Sequence, residues 1–332
     1  MGLEKITCPV CGNDSGKTIL TVPDRLGHFS GQFPLIECAG CRLAYVNPRP
    51  DGETLENAYS SAAAEIISQF NSKRVNKQPR FERDYINARR FIDRVDRLRP
   101  IRPDTVILDV GCGNGAFLYY AQLAKPFRPL GVDIGKPFVE YARRELGIEV
   151  HLGRLADCRF PDGSIDVLRL WHVLEHLEKP LELLAEFRRI LKSDGLLVLQ
   201  VPCYGSLLAK IFGRNWIFHF IPFHVYQFTP DSITSLLNKA GWEVVDIEGS
   251  LMPLELSGSL FYCFGGNLMA LMRRKIENRR RPRWSRILNF TLFWGLFLTL
   301  GIPYLMLEFA LLYFLAHFKR AGNITVYCRK QP

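Results

Sequence analysis

The chain has 332 residues, 48% of them hydrophobic, enough for a full α/β domain with one or two smaller modules. Its formal charge of +10 is local: Arg273 to Arg286 holds eight basic residues and one acid, the rest carries +3, and a generally nucleic-acid-binding surface is excluded. The nine cysteines form two C-x-x-C pairs and five singletons, too sparse for a secreted disulfide framework.

The start, MGLEKITCPVCG, lacks a basic segment followed by an apolar run, so a reducing cytosolic compartment is expected. Cys8-Pro-Val-Cys11 and Cys38-Ala-Gly-Cys41 follow, separated by 26 residues. Two such knuckles supply four thiolates, a tetrahedral set that suits structural zinc, and Gly12 and Gly40 give the backbone freedom the turns need. Four reduced thiols is the plainer alternative. A redox pair fits less well, because no strand–helix pattern surrounds either motif. Residues 1–50 are therefore read as a small zinc-knuckle module, 51–79 as a linker, and a charged, helix-compatible stretch from Arg80 to Arg97 leads into the main domain.

Thr105 to Tyr119 reads as a buried strand, a glycine turn and a helix start. Gly111, Gly113 and Gly115 make G-x-G-x-G, one residue shorter than the dinucleotide fingerprint, and are weak evidence alone. A second strand, Pro129-Leu-Gly-Val-Asp-Ile, ends in Asp133, placed to accept hydrogen bonds from both hydroxyls of a ribose. The short loop, with Asp109 just before it, fits the amino-acid tail of an adenosine-type cofactor better than a pyrophosphate.

With these residues and the blocks FPDGSIDVLRLWHVLEHLEKP, ILKSDGLLVLQVP and FHVYQFTPDSITSLLNKAGWEVV, the sequence resembles class I S-adenosylmethionine-dependent methyltransferases. The resemblance runs from about Arg80 to Ser250 and resumes at Gly322. The cysteine front end and the W-H-V-L-E-H-L block are similar to a bacterial branch often found with surface-polysaccharide and lipid biosynthesis enzymes. The resemblance implies an α/β fold: a Rossmann-like seven-stranded sheet with the last strand antiparallel, formed by residues 80–250 and 322–332. It implies that Asp109, Gly111, Gly113 and Gly115 cradle the methionine part of S-adenosylmethionine and that Asp133 holds the ribose. It also puts Leu155 near the adenine and Trp171, at the end of the fourth core strand, near the methionine. Arg154 stands where many relatives carry an acid, so recognition of the adenine amino group falls to the backbone or Asp157.

Methyl transfer from a sulfonium is an in-line displacement in which the protein mainly aligns donor and acceptor. A base is needed only if the acceptor loses a proton. The candidates are His172, Glu175 and His176 after the fourth strand, and His219, His224 and Tyr226 in a later aromatic loop, Ser206 to Phe228, read as a lid. Glu175 and His176 also read simply as a helix start. His224 is the preferred base, because the resemblance places a histidine there. Phe223, in place of the usual arginine, argues against an anionic group at that point and for an apolar acceptor.

Trp242 to Ser250 reads as the sixth core strand and Asn323 to Lys330 as the seventh, paired with it, which makes Leu251 to Ala321 an insertion whose two ends lie on one side of any membrane. Ile287 to Phe318 is 32 residues with one acid, Glu308, too short for two crossings of about 20 residues each, and Gly301-Ile-Pro303 breaks its middle. Basic residues flank both ends, as on a cytoplasmic membrane face. Ile287 to Phe318 is expected to be a shallow apolar helical hairpin within this membrane-associating insertion rather than a single transmembrane helix. Leu251 to Met272 is expected at the interface or roofing the active site; a soluble helical subdomain is the alternative. The resulting expectation is methyl transfer to a hydroxyl of a lipid-linked glycan, isoprenoid or quinone-like acceptor, with the membrane lipid surface as partner. Alternatives are a methyltransferase of soluble nucleotide sugars and a non-catalytic cofactor-binding scaffold.

Overall fold

A computed structural model describes residues 2–55, 57–58, 83–250, 255–264, 302–317 and 320–332. Most of the expected linker and residues 251–254, 265–301 and 318–319 of the expected insertion lie outside the described residues. The main domain is a seven-stranded sheet built from β6 (Val106–Val110), β7 (Arg128–Asp133), β8 (Glu149–Leu152), β9 (Ile165–Trp171), β10 (Leu191–Pro202), β12 (Trp242–Ser250) and β13 (Asn323–Lys330). Its order is β12-β13-β10-β9-β6-β7-β8, with β13 antiparallel to both neighbours and the other strand pairs parallel. β10 begins at Leu191 and shifts register between Leu191 and Leu196.

Period-two alternation feeds two cores. Leu108, Val110, Leu197, Leu199 and Val201 point to one face, where α4 (Pro180–Ile190) and α6 (Pro230–Lys239) pack. Ile107, Leu196 and Val198 point to the other, covered by α1 (Arg83–Leu98), α2 (Ala116–Ala124) and α3 (Lys136–Leu146). In α1 the buried residues are Ala88, Phe91, Ile92 and Val95, the i, i+3, i+4, i+7 stripe of a helix with one apolar side. α6 starts at a capping box: Thr229 Oγ1 accepts from Ser232 N, and Ser232 Oγ accepts from Thr229 N.

The N-terminal module is not self-contained at residue 50. β2 (Gly16–Pro23), β3 (Gln32–Cys38) and β4 (Ala44–Val46) form a meander whose fourth strand, β11 (Tyr226–Gln227), comes from the lid. The small pair β1 (Leu3–Glu4) and β5 (Arg49–Pro50) closes the module's other side. Cys8, Val10, Cys38, Leu43 and Tyr45 share one continuous core with Leu174, Val225, Tyr226 and Phe228 of the main domain.

The described parts of the insertion fold back on the lid. α7 (Glu255–Cys263) packs Tyr262 against Trp216, Ile217 and Phe218, and α8 (Ile302–His317) packs Leu312 and Leu315 against Leu208 of α5 (Leu207–Phe212). Glu308 explains itself here. It is buried, and its Oε1 accepts from Leu256 N at 3.1 Å and Ser257 N at 3.2 Å, so the acid in the apolar run caps the N-terminus of α7. Among the described residues no helix is long and apolar enough to cross a membrane.

Candidate active site

The glycine loop joins β6 to α2 at the carboxyl end of the sheet, where ligands of open α/β folds sit. Gly111, Gly113 and Gly115 all adopt positive φ, at 76°, 55° and 74°. A Cβ on Gly111 would stand 2.5 Å from Val173 Cγ2, and one on Gly115 2.9 Å from Ala142 Cβ. A Cβ on Gly113 would meet nothing within 4 Å, so this glycine faces open space. Asp133 closes the loop from β7: its Oδ2 accepts from Gly113 N and its Oδ1 from Gly135 N, each at 2.7 Å. Each oxygen keeps a second lone pair, which is what a ribose diol requires. An open glycine cradle with such an acid beside it fits an adenosine-type cofactor.

Asp109 plays a different part from the one expected. It is 1% exposed, and both its oxygens accept from Arg169 Nη1 at 2.8 Å, so it holds an arginine and does not face the loop's open side. The two residues are register partners on β6 and β9. Arg169 is itself 7% exposed, with its guanidinium 3.5 Å from the Phe117 ring centroid and 4.3 Å from that of Trp171. Burial pushes the Asp109 carboxyl up and the Arg169 guanidinium down, and their mutual attraction opposes both shifts. Trp171 thus lies at the end of β9 against this cation and Phe91. Leu155 is buried at the start of a 3₁₀ turn, Leu155–Cys158, where Asp157 accepts from Arg154 N at 3.1 Å.

Four of the expected candidates for chemistry converge. His172 follows β9 with φ 54°, a conformation rare outside glycine, and its Nδ1 lies 3.2 Å from Glu175 Oε1. Val173, the next residue, packs on Gly111, which places this turn beside the glycine loop. His176 and His224 stack edge to face, 4.5 Å between ring centroids, and His224 Nε2 stands 4.0 Å from Glu175 Oε1. Glu175 is completely buried. Burial lowers the pKa of both His176 and His224, and for His224 the neighbouring histidines lower it further, so both rings are neutral at pH 7.

The preference for His224 as the base changes. Its side chain is buried and its Nδ1 donates to Phe218 O at 3.0 Å, whereas His172 is about a quarter exposed and oriented by a carboxylate. His219 is also buried, its Nε2 bonded to Gly213 O at 2.9 Å, and Tyr226 donates to Glu178 O at 2.9 Å, so both are lid-fastening groups. Phe223 is buried and packs on His28 and Phe29, which ties the lid to the N-terminal module. Sequence reasoning missed Arg169 altogether, since a charge inside a buried strand announces no partner 60 residues away.

The four cysteines come together as the spacing requires. Their sulfurs all lie within 4.8 Å of one another, with Cys8–Cys41 at 3.5 Å and Cys11–Cys38 at 3.4 Å. A zinc–sulfur length of about 2.3 Å gives tetrahedron edges of about 3.8 Å, so the set fits zinc.

Comparison with known proteins agrees with the loop. The family described as a methyltransferase domain matches residues 81–247, half of the chain. A protein of Mycolicibacterium smegmatis named "Probable S-adenosylmethionine-dependent methyltransferase" is 31% identical over 146 residues, 43% of this chain and 54% of its own length. A ubiquinone biosynthesis O-methyltransferase of Cereibacter sphaeroides is 28% identical over 171 residues, 46% of this chain and 67% of its own. The chain spans about half the length of several curated relatives it matches. Among solved structures, the [4+2]-cyclase SpnF covers 85% of this chain and 97% of its own at 16% identity with a TM-score of 0.50, a likeness of fold alone.

Proposed function

The chain belongs to the methyltransferase-domain family, and on that premise we propose that it transfers the methyl group of S-adenosylmethionine to an oxygen of a small-molecule or lipid-linked acceptor. The observation that carries the reading is Gly113: left-handed, facing open space, its N–H holding the acid that would take the ribose. When bound, S-adenosylmethionine supplies an electrophilic methyl group and its own leaving group. The residues then have distinct tasks. Gly111, Gly113 and Gly115 let the backbone approach the methionine part. Asp133 accepts from the ribose hydroxyls, and the Leu155 turn borders the adenine. Arg169, fixed by Asp109, sets the position of Trp171 beside the methionine. His172 takes the acceptor's hydroxyl proton at Nε2, and Glu175, bonded to its Nδ1, steadies the cation formed. Zinc held by Cys8, Cys11, Cys38 and Cys41 is structural, since four protein ligands leave no open position.

The acceptor is proposed to be a lipid-linked glycan, isoprenoid or quinone-like molecule at the cytoplasmic membrane face. Two features support this. Met306, Leu307, Tyr313 and Phe314, one face of α8, are 58–69% exposed. The basic run from Arg273 to Arg286, which would meet anionic lipid, precedes that helix. The test combines the purified chain, native-type membranes and methyl-labelled S-adenosylmethionine. Label in the lipid extract is the expected result. Label confined to water-soluble sugars moves the acceptor to nucleotide sugars, and cofactor binding without any transfer sinks the enzyme reading.

A further inference from the structure

Behind the glycine loop, Glu175, His176 and His224 each place one potential ligand atom within 4.8 Å of the others. Their outer bonds are those of metal ligands. His176 Nδ1 donates to Phe223 O and His224 Nδ1 to Phe218 O, each at 3.0 Å, which fixes both rings in the tautomer with its lone pair on Nε2. Glu175 has no exposed surface. Its Oε1 faces His172 and His224, while its Oε2 is buried with no hydrogen-bond partner. Among the described residues no lysine or arginine pairs with this carboxylate. Two imidazoles fastened through Nδ1 and a buried carboxyl with one unbonded oxygen make a donor set that a cation would complete.

We propose that Glu175, His176 and His224 bind a divalent transition-metal ion, separate from the four-cysteine site. Two nitrogens and one oxygen suit manganese, iron, cobalt, nickel or zinc, whereas the thiolate set selects zinc, so the two sites differ in preference. Three protein donors leave coordination positions open. On the methyl-transfer reading, which this one step rests on, an acceptor oxygen fills one of them and is held beside His172. His172, bonded to Glu175 Oε1, is then both a positioning residue for the ligand carboxylate and the base. Both backbone carbonyls that fix the histidines belong to the lid, so the ion would also lock the lid to the W-H-V-L-E-H-L turn.

The test titrates the full, zinc-loaded chain with manganese(II) and follows the signal of free aqueous manganese by electron paramagnetic resonance. The expected result is one manganese per chain, with Glu175→Gln and His224→Gln each weakening binding by about tenfold or more while the zinc content of the cysteine site stays unchanged. Affinity for S-adenosylmethionine certifies that each variant is folded. Should a variant fail to fold, pulsed spectra of the bound manganese in the unmodified chain answer directly: coupling to two imidazole nitrogens supports the site. No stoichiometric binding, no nitrogen coupling, or binding in a folded Glu175→Gln protein equal to that of the parent overturns it. Metal binding without methyl transfer would sink the proposed function and leave the metal site standing; methyl transfer without metal binding would do the reverse.

Discussion

Two of the three loop glycines sit in the same backbone conformation for different reasons, and substitution separates them. Gly111→Ala and Gly113→Ala both incur about 1 kcal/mol for a left-handed alanine. Only Gly111→Ala also drives a methyl into Val173. Gly113→Ala is therefore expected to lose S-adenosylmethionine affinity by at least about tenfold with a stability loss near 1 kcal/mol, whereas Gly111→Ala loses stability by clearly more. Calorimetric titration with urea unfolding decides it, and equal stability losses would refute the distinction. The glycine pattern was legible in the sequence because positive φ selects glycine, and Asp133 because it ends an apolar strand. The base was not. Choosing His172 over His224 depends on which ring is reached by solvent and which is fastened to a carbonyl, and neither is written in a motif. Arg169 was illegible for a related reason: only strand register shows that Asp109 is its partner. Removing either member alone leaves a buried charge and costs about 3–5 kcal/mol, so neither is a neutral probe of cofactor binding.

At the scale of elements, the lid and the insertion form one unit joined by buried acids. Glu255 Oε1 accepts from Trp216 Nε1 at 2.8 Å, and Ser259 Oγ accepts from Ile217 N at 3.1 Å, so α7 is fastened to the lid by polar bonds inside an aromatic cluster. Burial raises the Glu255 pKa to about 7, against an unfolded value near 4.5. A raised folded pKa means that the folded chain holds the proton more tightly. The stabilisation is complete below about pH 4.5 and is lost as pH rises through 7, up to about 3 kcal/mol. Glu255→Gln keeps an acceptor for Trp216 and carries no charge. Its melting temperature is expected to lack the part of the parent's fall between pH 5 and pH 8 that Glu255 causes, a difference scanning calorimetry reads; identical profiles would dismiss the assignment. The sequence showed the last strand pair with its bounds, because apolar and β-branched residues mark it. It did not show that Glu308 caps α7, since a cap supplied from 52 residues away leaves no local signature.

Across the whole molecule, the cysteine module and the main domain share a core and a strand, so the boundary at residue 50 was drawn where composition changes rather than where packing does. Tyr226 pairs with Tyr45 and Gln227 with Ala44, and the Tyr226 hydroxyl reaches Glu178 O, close to the turn that carries Glu175. Stripping the zinc proposed for the four-cysteine site with a strong chelator is therefore expected to disturb the lid at a distance. Turnover should fall by about 100-fold, the scale of a misplaced acceptor, while affinity for S-adenosylmethionine, which would rest on the glycine loop and Asp133, changes little. Loss of both together, or of neither, would contradict the coupling. The strand order carries one more consequence. β13 lies between β10 and β12, yet it follows the whole insertion in sequence. During synthesis, β10 and β12 leave the ribosome with a gap between them that no earlier segment fills. The apolar insertion is then in the open, beside the translation machinery and whatever surface is near, before the sheet can close. The order of emergence gives the insertion first choice of neighbour and makes sheet closure wait for β13, a timing that ribosome-arrested chains truncated before and after residue 323 would display as protease sensitivity of β12.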